Sequence, residues 1–358
     1  MRTRFVQSIV VLMIAALACN LPGTREATSE ELSTVFSSPE ATTAAPLCGD
    51  NICDGPENAY ICSADCASGD SQLPVSSSAP ADTEAPPTDA APTAAEREES
   101  FTVTNPTSGS QLLVRIFRPP DWNGEGNPTL VLVPGGTGFS ADFIRPPRNT
   151  VLDLAVEGYT VVVFDPDGRG QSEGIEDQNG FAQQDGLAAI IRSLEGAAGV
   201  DTDRIGLLSF SFGVTMAAGV LARHPDLSVR FLMDWEGPAN RNDTGGCDAD
   251  LLGHLTGEVA CDDEEFWTER EALTFISELN VPYQRLQSEK DHVQPDNDHA
   301  ILMVNAAVGG GVPWVRLNDL AADQTFDLDA PPIMLPDSVD GRLSELVAVY
   351  ALYLFALP

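Results

Sequence analysis

The chain has 358 residues, 43% of them hydrophobic, with 19 basic against 54 acidic side chains and a formal net charge of −35. That is enough apolar content for one large core plus appendages, and a charge that argues against nucleic acid and anionic surfaces as partners. The acidic residues are spread along the sequence and Lys290 is the only lysine, so the charge reads as a self-repelling soluble exterior instead of an acidic tail.

Residues 1–18, MRTRFVQSIVVLMIAALA, place two arginines ahead of an apolar run too short to span a bilayer comfortably, and end in small residues before Cys19. This is the layout of a secretory signal peptide. The segment ALAC resembles the end of a bacterial lipoprotein signal, which implies an exported chain lipidated at Cys19 and anchored on the outer side of a membrane in the cell envelope. ALA also suits ordinary signal peptidase and a secreted product. Residues 19–46 and 68–99 are rich in Ser, Thr, Pro, Ala and Glu and poor in large apolar residues, so they read as a disordered tether and linker. Between them, residues 47–67 hold Cys48, Cys53, Cys62 and Cys66 in a segment too small for a hydrophobic core, and two disulfides are expected to hold it together. The pattern resembles short cysteine-rich repeats of exported bacterial proteins. Asp50, Asn51, Asp54, Glu57 and Asp65 offer oxygens to calcium, but solvated loops on a disulfide knot are the simpler account.

From about residue 100 to 358, strands and helices alternate, which predicts an α/β domain with a mostly parallel, doubly wound sheet. QLLVRIFRP at 111–119 reads as an early antiparallel strand, TLVLVPGG at 129–136 as a buried strand ending in a glycine turn, TVLDLAVEG at 150–158 as a helix and YTVVVFD at 159–165 as the next buried strand. A helix at 180–194, a strand at 204–211, a helix at 212–224 and a strand at 229–237 follow. Residues 238–275 break the rhythm and read as an inserted cap, with Cys247 and Cys261 placed to close it by a third disulfide. PYQRLQSEKDH at 282–292, a helix from Asp298, VPWVRLND at 312–319 and a last helix at 341–357 complete the series. That last run, with Glu345 inside it, is too short for a membrane span and reads as a docked core helix.

SFSFG places Ser211 between a strand and a helix, flanked by Ser209 and Gly213. It resembles the nucleophile elbow of the α/β-hydrolase family, usually G-x-S-x-G. VPGGTG at 133–138 resembles the family's oxyanion loop, DPDGRGQSEG at 165–174 the Asp-x-Arg-Gly-x-Gly-x-Ser loop of its esterases and X-prolyl peptidases, and QSEKDHVQPD at 287–296 the segment that carries its acid. The resemblance implies an α/β-hydrolase fold and a serine hydrolase cleaving a small carboxylic ester or a peptide without cofactor or metal. It further implies Ser211 as nucleophile, Asp291 as acid, and the N–H groups of Phe212 and of Gly136 or Thr137 as oxyanion donors.

The family's histidine belongs in the loop after the last strand, yet no histidine follows His299. His224 ends the helix after Ser211 and reads as structural, and His254 lies in the cap. His292 and His299 flank the acid segment, and either one is a candidate base. His292 adjoins Asp291, so its carboxylate partner is expected at Asp234 or Glu236. His299 opens a helix with Asp291 eight residues back to orient it. Esterase, peptidase and a non-catalytic binding protein that kept the elbow but lost its base all remain open.

Overall fold

The computed structural model describes residues 97–145, 149–244, 260–319 and 325–358. The expected signal, tether and cysteine-rich segment, with Cys19, Cys48, Cys53, Cys62 and Cys66, lie outside these residues, as do Cys247 and His254 of the expected cap.

Eight strands form one sheet. They are β1 (Glu98–Thr104), β2 (Gln111–Phe117), β3 (Asn127–Val133), β4 (Thr160–Phe164), β5 (Val200–Phe210), β6 (Phe231–Trp235), β7 (Tyr283–Leu286) and β8 (Val315–Leu317), in spatial order 1-2-4-3-5-6-7-8. The first two pairings, β1 with β2 and β2 with β4, are antiparallel, and all later ones are parallel. The helices are α1 (Thr150–Val156), α2 (Phe181–Ser193), α3 (Gly213–Arg223), α4 (Glu264–Thr268), α5 (Leu273–Ile276), α6 (Asp298–Gly310) and α7 (Leu343–Ala356).

The central strands are apolar throughout because both faces of the sheet are covered. Val131 and Val133 face one core with Leu187 of α2, Met216 of α3 and Met303 of α6, while Leu130 and Leu132 face a second core with Leu154 of α1 and Val347 of α7. Strand geometry sends successive side chains to opposite faces, and each fully buried Leu or Val contributes roughly 1.5–3 kcal/mol. The apolar C-terminal run is helix α7, docked on this second core, where its Ala348 carbonyl accepts from Tyr159 Oη at 2.7 Å. No helix among the described residues is long and apolar enough to cross a membrane.

Strand β1 corrects the expected linker, because regular structure begins at Glu98 within residues 68–99. Its polar sequence fits an edge strand: only Phe101 and Val103 pack on the core, while Glu98 and Glu99 pair with Arg115 and Arg118. In the segment expected to form a cap, Arg241 joins Glu264 and Glu271, Trp267 is fully buried, and Cys261 is disulfide-bonded.

Candidate active site

Parallel strands bring their C-terminal ends to one edge, and β5, β6 and β7 lie side by side there. Phe210 pairs with Trp235 and Trp235 with Leu286, so Ser211, Glu236 and Gln287 are consecutive neighbours just beyond the sheet.

Ser211 stands between β5 and α3 at φ 49°, a left-handed conformation that costs a non-glycine residue about 1–2 kcal/mol. Its N–H donates to the Trp235 carbonyl at 2.8 Å, which ties the turn to β6. The small neighbours are steric necessities. A Cβ on Gly213 would lie 2.6 Å from the Pro134 carbonyl oxygen, and one on Gly135 would lie 2.5 Å from that of Phe210. Ser209, fully buried in place of the usual glycine, fits by bonding the Met233 carbonyl at 3.4 Å and Asp234 Oδ1 at 3.3 Å. Among the described residues nothing bonds the Ser211 hydroxyl, and the N–H groups of Gly136, Thr137 and Phe212 have no partner either. An oxyanion hole calls for N–H donors that no protein acceptor has taken.

On the other side, Glu236 directly follows β6 at φ 50°, nearly fully buried, its N–H donating to the Leu286 carbonyl at 3.1 Å. The Ser288 hydroxyl donates to its Oε1, and Oε2 lies 2.6 Å from His292 Nδ1. Of the two carboxylates expected to partner His292, Glu236 is the one that does. The His292 side chain is 40% exposed, with Asp291 Oδ1 3.5 Å from Nδ1. Partial burial works against the charged ring, but the hydrogen bond to Glu236 and the charges of Asp291, Glu236 and Asp340 outweigh it, so the imidazole holds its proton more tightly than usual.

Asp291 sits where the family's acid is expected, but its lone pairs are taken. Oδ1 accepts from the N–H groups of Val293 and Gln294 at 2.7 and 2.9 Å, Oδ2 accepts from Gln287 Nε2 at 3.0 Å, and His299 Nε2 lies 3.3 Å away. Burial alone would raise this carboxyl's pKa, yet these donors hold it well below the usual carboxylate range.

His299 lies among buried charged groups. Its side chain is fully buried, and Arg285 Nη2 lies 3.0 Å from its Nδ1. A guanidinium only donates, so Nδ1 accepts and the ring proton sits on Nε2, facing Asp291. The Gly237 carbonyl, also 3.0 Å from Nδ1, receives Arg285 Nη1 at 2.7 Å instead. Asp234, the other carboxylate expected to hold His292, is fully buried and paired with Arg285, and it accepts from Tyr283 Oη at 3.1 Å. His224 bonds Asp185 at 2.9 Å at the far end of α3.

The loop after β8 also departs from the family pattern. Asn318, at φ 61°, accepts from the Gln287 N–H at 2.7 Å and donates to the Gln287 carbonyl at 2.9 Å, closing β8 onto the acid segment. Arg285 and Asn318 carry no motif. Their only sequence signals were a lone arginine in a buried strand and an Asn-Asp at a strand end. Glu236, Asp291 and His292 each bring a potential ligand atom within 4.8 Å of the others, close enough for a metal ion, although Glu236 and His292 already bond each other.

Residues 108–234 match the family described as X-Pro dipeptidyl-peptidase (S15 family). Sheet order, elbow and match agree. The chain has the α/β-hydrolase fold, and residues 108–234 are similar to that peptidase family. Among solved structures, it is similar to dipeptidyl peptidase 4 of Porphyromonas gingivalis, with 16% identity over 72% of this chain and 35% of that one, at a TM-score of 0.52. A puromycin-hydrolyzing peptidase of Mycobacterium tuberculosis matches with 17% identity over 71% and 39% of the two chains, at a TM-score of 0.54. An esterase of Pyrococcus furiosus matches with 16% identity over 72% and 91%, at 0.52. The chain thus spans little more than a third of the length of the two peptidases. No curated protein sequence matches the chain significantly.

Proposed function

We propose that this α/β hydrolase cleaves carboxylic esters through an acyl-enzyme on Ser211, with His292 as base and Glu236 as the carboxylate that orients it. The observation that carries the reading is the 2.6 Å contact between His292 Nδ1 and Glu236 Oε2, made one strand away from the elbow. It fixes the tautomer with the proton on Nδ1 and leaves Nε2 to take the serine proton. Ser211 Oγ attacks the ester carbonyl carbon as its proton passes to Nε2. The tetrahedral oxyanion is held by the N–H of Phe212 and of Gly136 or Thr137. Nε2 then returns the proton to the departing alkoxide, and water repeats the sequence on the acyl-enzyme.

An ester suits this site because an alkoxide leaves more readily than an amine and asks less of a base placed outside the family's usual loop. The family match to X-Pro dipeptidyl-peptidases favours a peptide as the second reading. Labelling with a fluorophosphonate and turnover of p-nitrophenyl acetate test the chemistry: both are expected from the wild type and neither from Ser211→Ala. A wild type that neither labels nor turns over any ester or peptide makes this a binding protein.

We also propose export and anchoring through Cys19, supported by the signal-like residues 1–18 and the polar tether after them. Cys19→Ser is expected to move the protein from the membrane fraction to the soluble one. Wild-type protein already free in the medium overturns the anchor.

A further inference from the structure

The loop that follows β4, residues 165–179, touches no reacting group in this reading, yet its side chains grip both pieces of backbone that form the oxyanion hole. On the oxyanion-loop side, Asp165 Oδ1 accepts from the Ser140 N–H at 3.0 Å, and Arg169 Nη1 approaches the Gly138 carbonyl at 3.4 Å. On the elbow side, Asn179 Nδ2 donates to the Phe212 carbonyl at 2.8 Å. The two sides meet at one guanidinium, because Arg169 Nη2 donates to Asn179 Oδ1 at 3.0 Å. Glu176 holds that guanidinium through contacts of 2.6 and 2.7 Å to Nε and Nη2.

The chemistry of this relay leaves little freedom. Arg169 and Asn179 are both nearly or fully buried, so each polar atom needs its partner. Arginine only donates and a carbonyl only accepts, which fixes the Asn179 amide with Oδ1 toward Arg169 and Nδ2 toward Phe212. Asn179 stands at φ 64°, a conformation asparagine tolerates better than most residues, and its own N–H donates to Gln183 Oε1 at 2.6 Å. Shape alone would allow an apolar plug here. A directional chain of donors instead sets where the Phe212 peptide sits relative to the 135–138 turn.

We infer that Arg169 and Asn179 are positioning residues that set the spacing between the two halves of the oxyanion hole, an inference that rests on the Ser211 reading. Donors stabilise an oxyanion only when both lie about 3 Å from the place where the charge develops, so a small shift of either half lowers turnover more than it lowers substrate binding.

The test compares wild type with Asn179→Gly, Asn179→Asp and Arg169→Lys. Asn179→Gly keeps the left-handed backbone, Asn179→Asp sets an acceptor against the Phe212 carbonyl, and Arg169→Lys removes the fork that reaches Glu176, Asn179 and Gly138 together. Turnover of p-nitrophenyl acetate is expressed per active site titrated with fluorophosphonate, so that unfolded protein does not enter the rate. The inference expects kcat to fall about tenfold or more with KM within about twofold, and affinity for an acyl trifluoromethyl ketone to fall by the same factor as kcat/KM. Variants that lose titratable sites but turn over at the wild-type rate per site overturn it, since that marks a merely structural role. So does a loss confined to KM. Ser211-dependent wild-type turnover with unaffected variants sinks this inference alone, whereas a wild type without such turnover sinks the Ser211 reading with it.

Discussion

On the β3–β5 side of the active edge, VPGGTG and SFSFG form the turn and elbow that their spacing predicts, with N–H groups that have no partner among the described residues and a serine held at φ 49°. On the β6–β8 side, residue types match the family but partners do not: Asp291 spends its lone pairs on backbone N–H groups and Gln287, Glu236 takes the imidazole of His292, and Asn318 stitches the last strand shut. The difference lies in how each function is built. Elbow and oxyanion turn are made of backbone, whose conformation small residues dictate locally. An acid–base pair is made of side chains from separate strand ends, and several pairings satisfy the same types.

The largest effect that separates the two sides is on rate. His292→Ala is expected to lower kcat/KM for p-nitrophenyl acetate on the order of 10⁴-fold, because it removes the proton acceptor. His299→Ala is expected to change it by less than about tenfold while costing roughly 1–3 kcal/mol in urea unfolding, since Arg285 and Asp291 lose a buried partner. The reverse ranking would return the base to α6.

Next comes stability. Arg285→Met leaves Asp234 buried without its cation, and breaking such a pair costs about 3–5 kcal/mol. Chemical denaturation of the isolated protein measures this. A variant as stable as wild type would mean that the Arg285 network does not hold the β6–β8 side in place.

The smallest effect is on pH dependence. The carboxylates around His292 raise its pKa, and the neutral ring is the base, so activity should appear only as pH rises through that raised value. Asp291→Asn removes one of those charges and is expected to move the acid limb of kcat/KM to lower pH. An unmoved limb would show that the 3.5 Å contact carries no electrostatic weight.

The alternation of buried runs was enough to predict the parallel sheet and its helices, because strand and helix periods are local properties of the chain. Strand β1 escaped, since an edge strand needs only Phe101 and Val103 on the core and otherwise reads as linker. The same locality made Ser211, Gly135 and Gly213 legible: their roles follow from φ and from the space around one backbone turn. The choice of Glu236 over Asp234 for His292 was decided only by the tertiary structure. The two carboxylates are two residues apart, Asp234 on β6 and Glu236 just beyond it, and the first is claimed by Arg285 of the neighbouring strand. Spacing along a chain does not say which lone pair a distant cation has taken, and that competition, settled by packing, is what leaves Glu236 to His292.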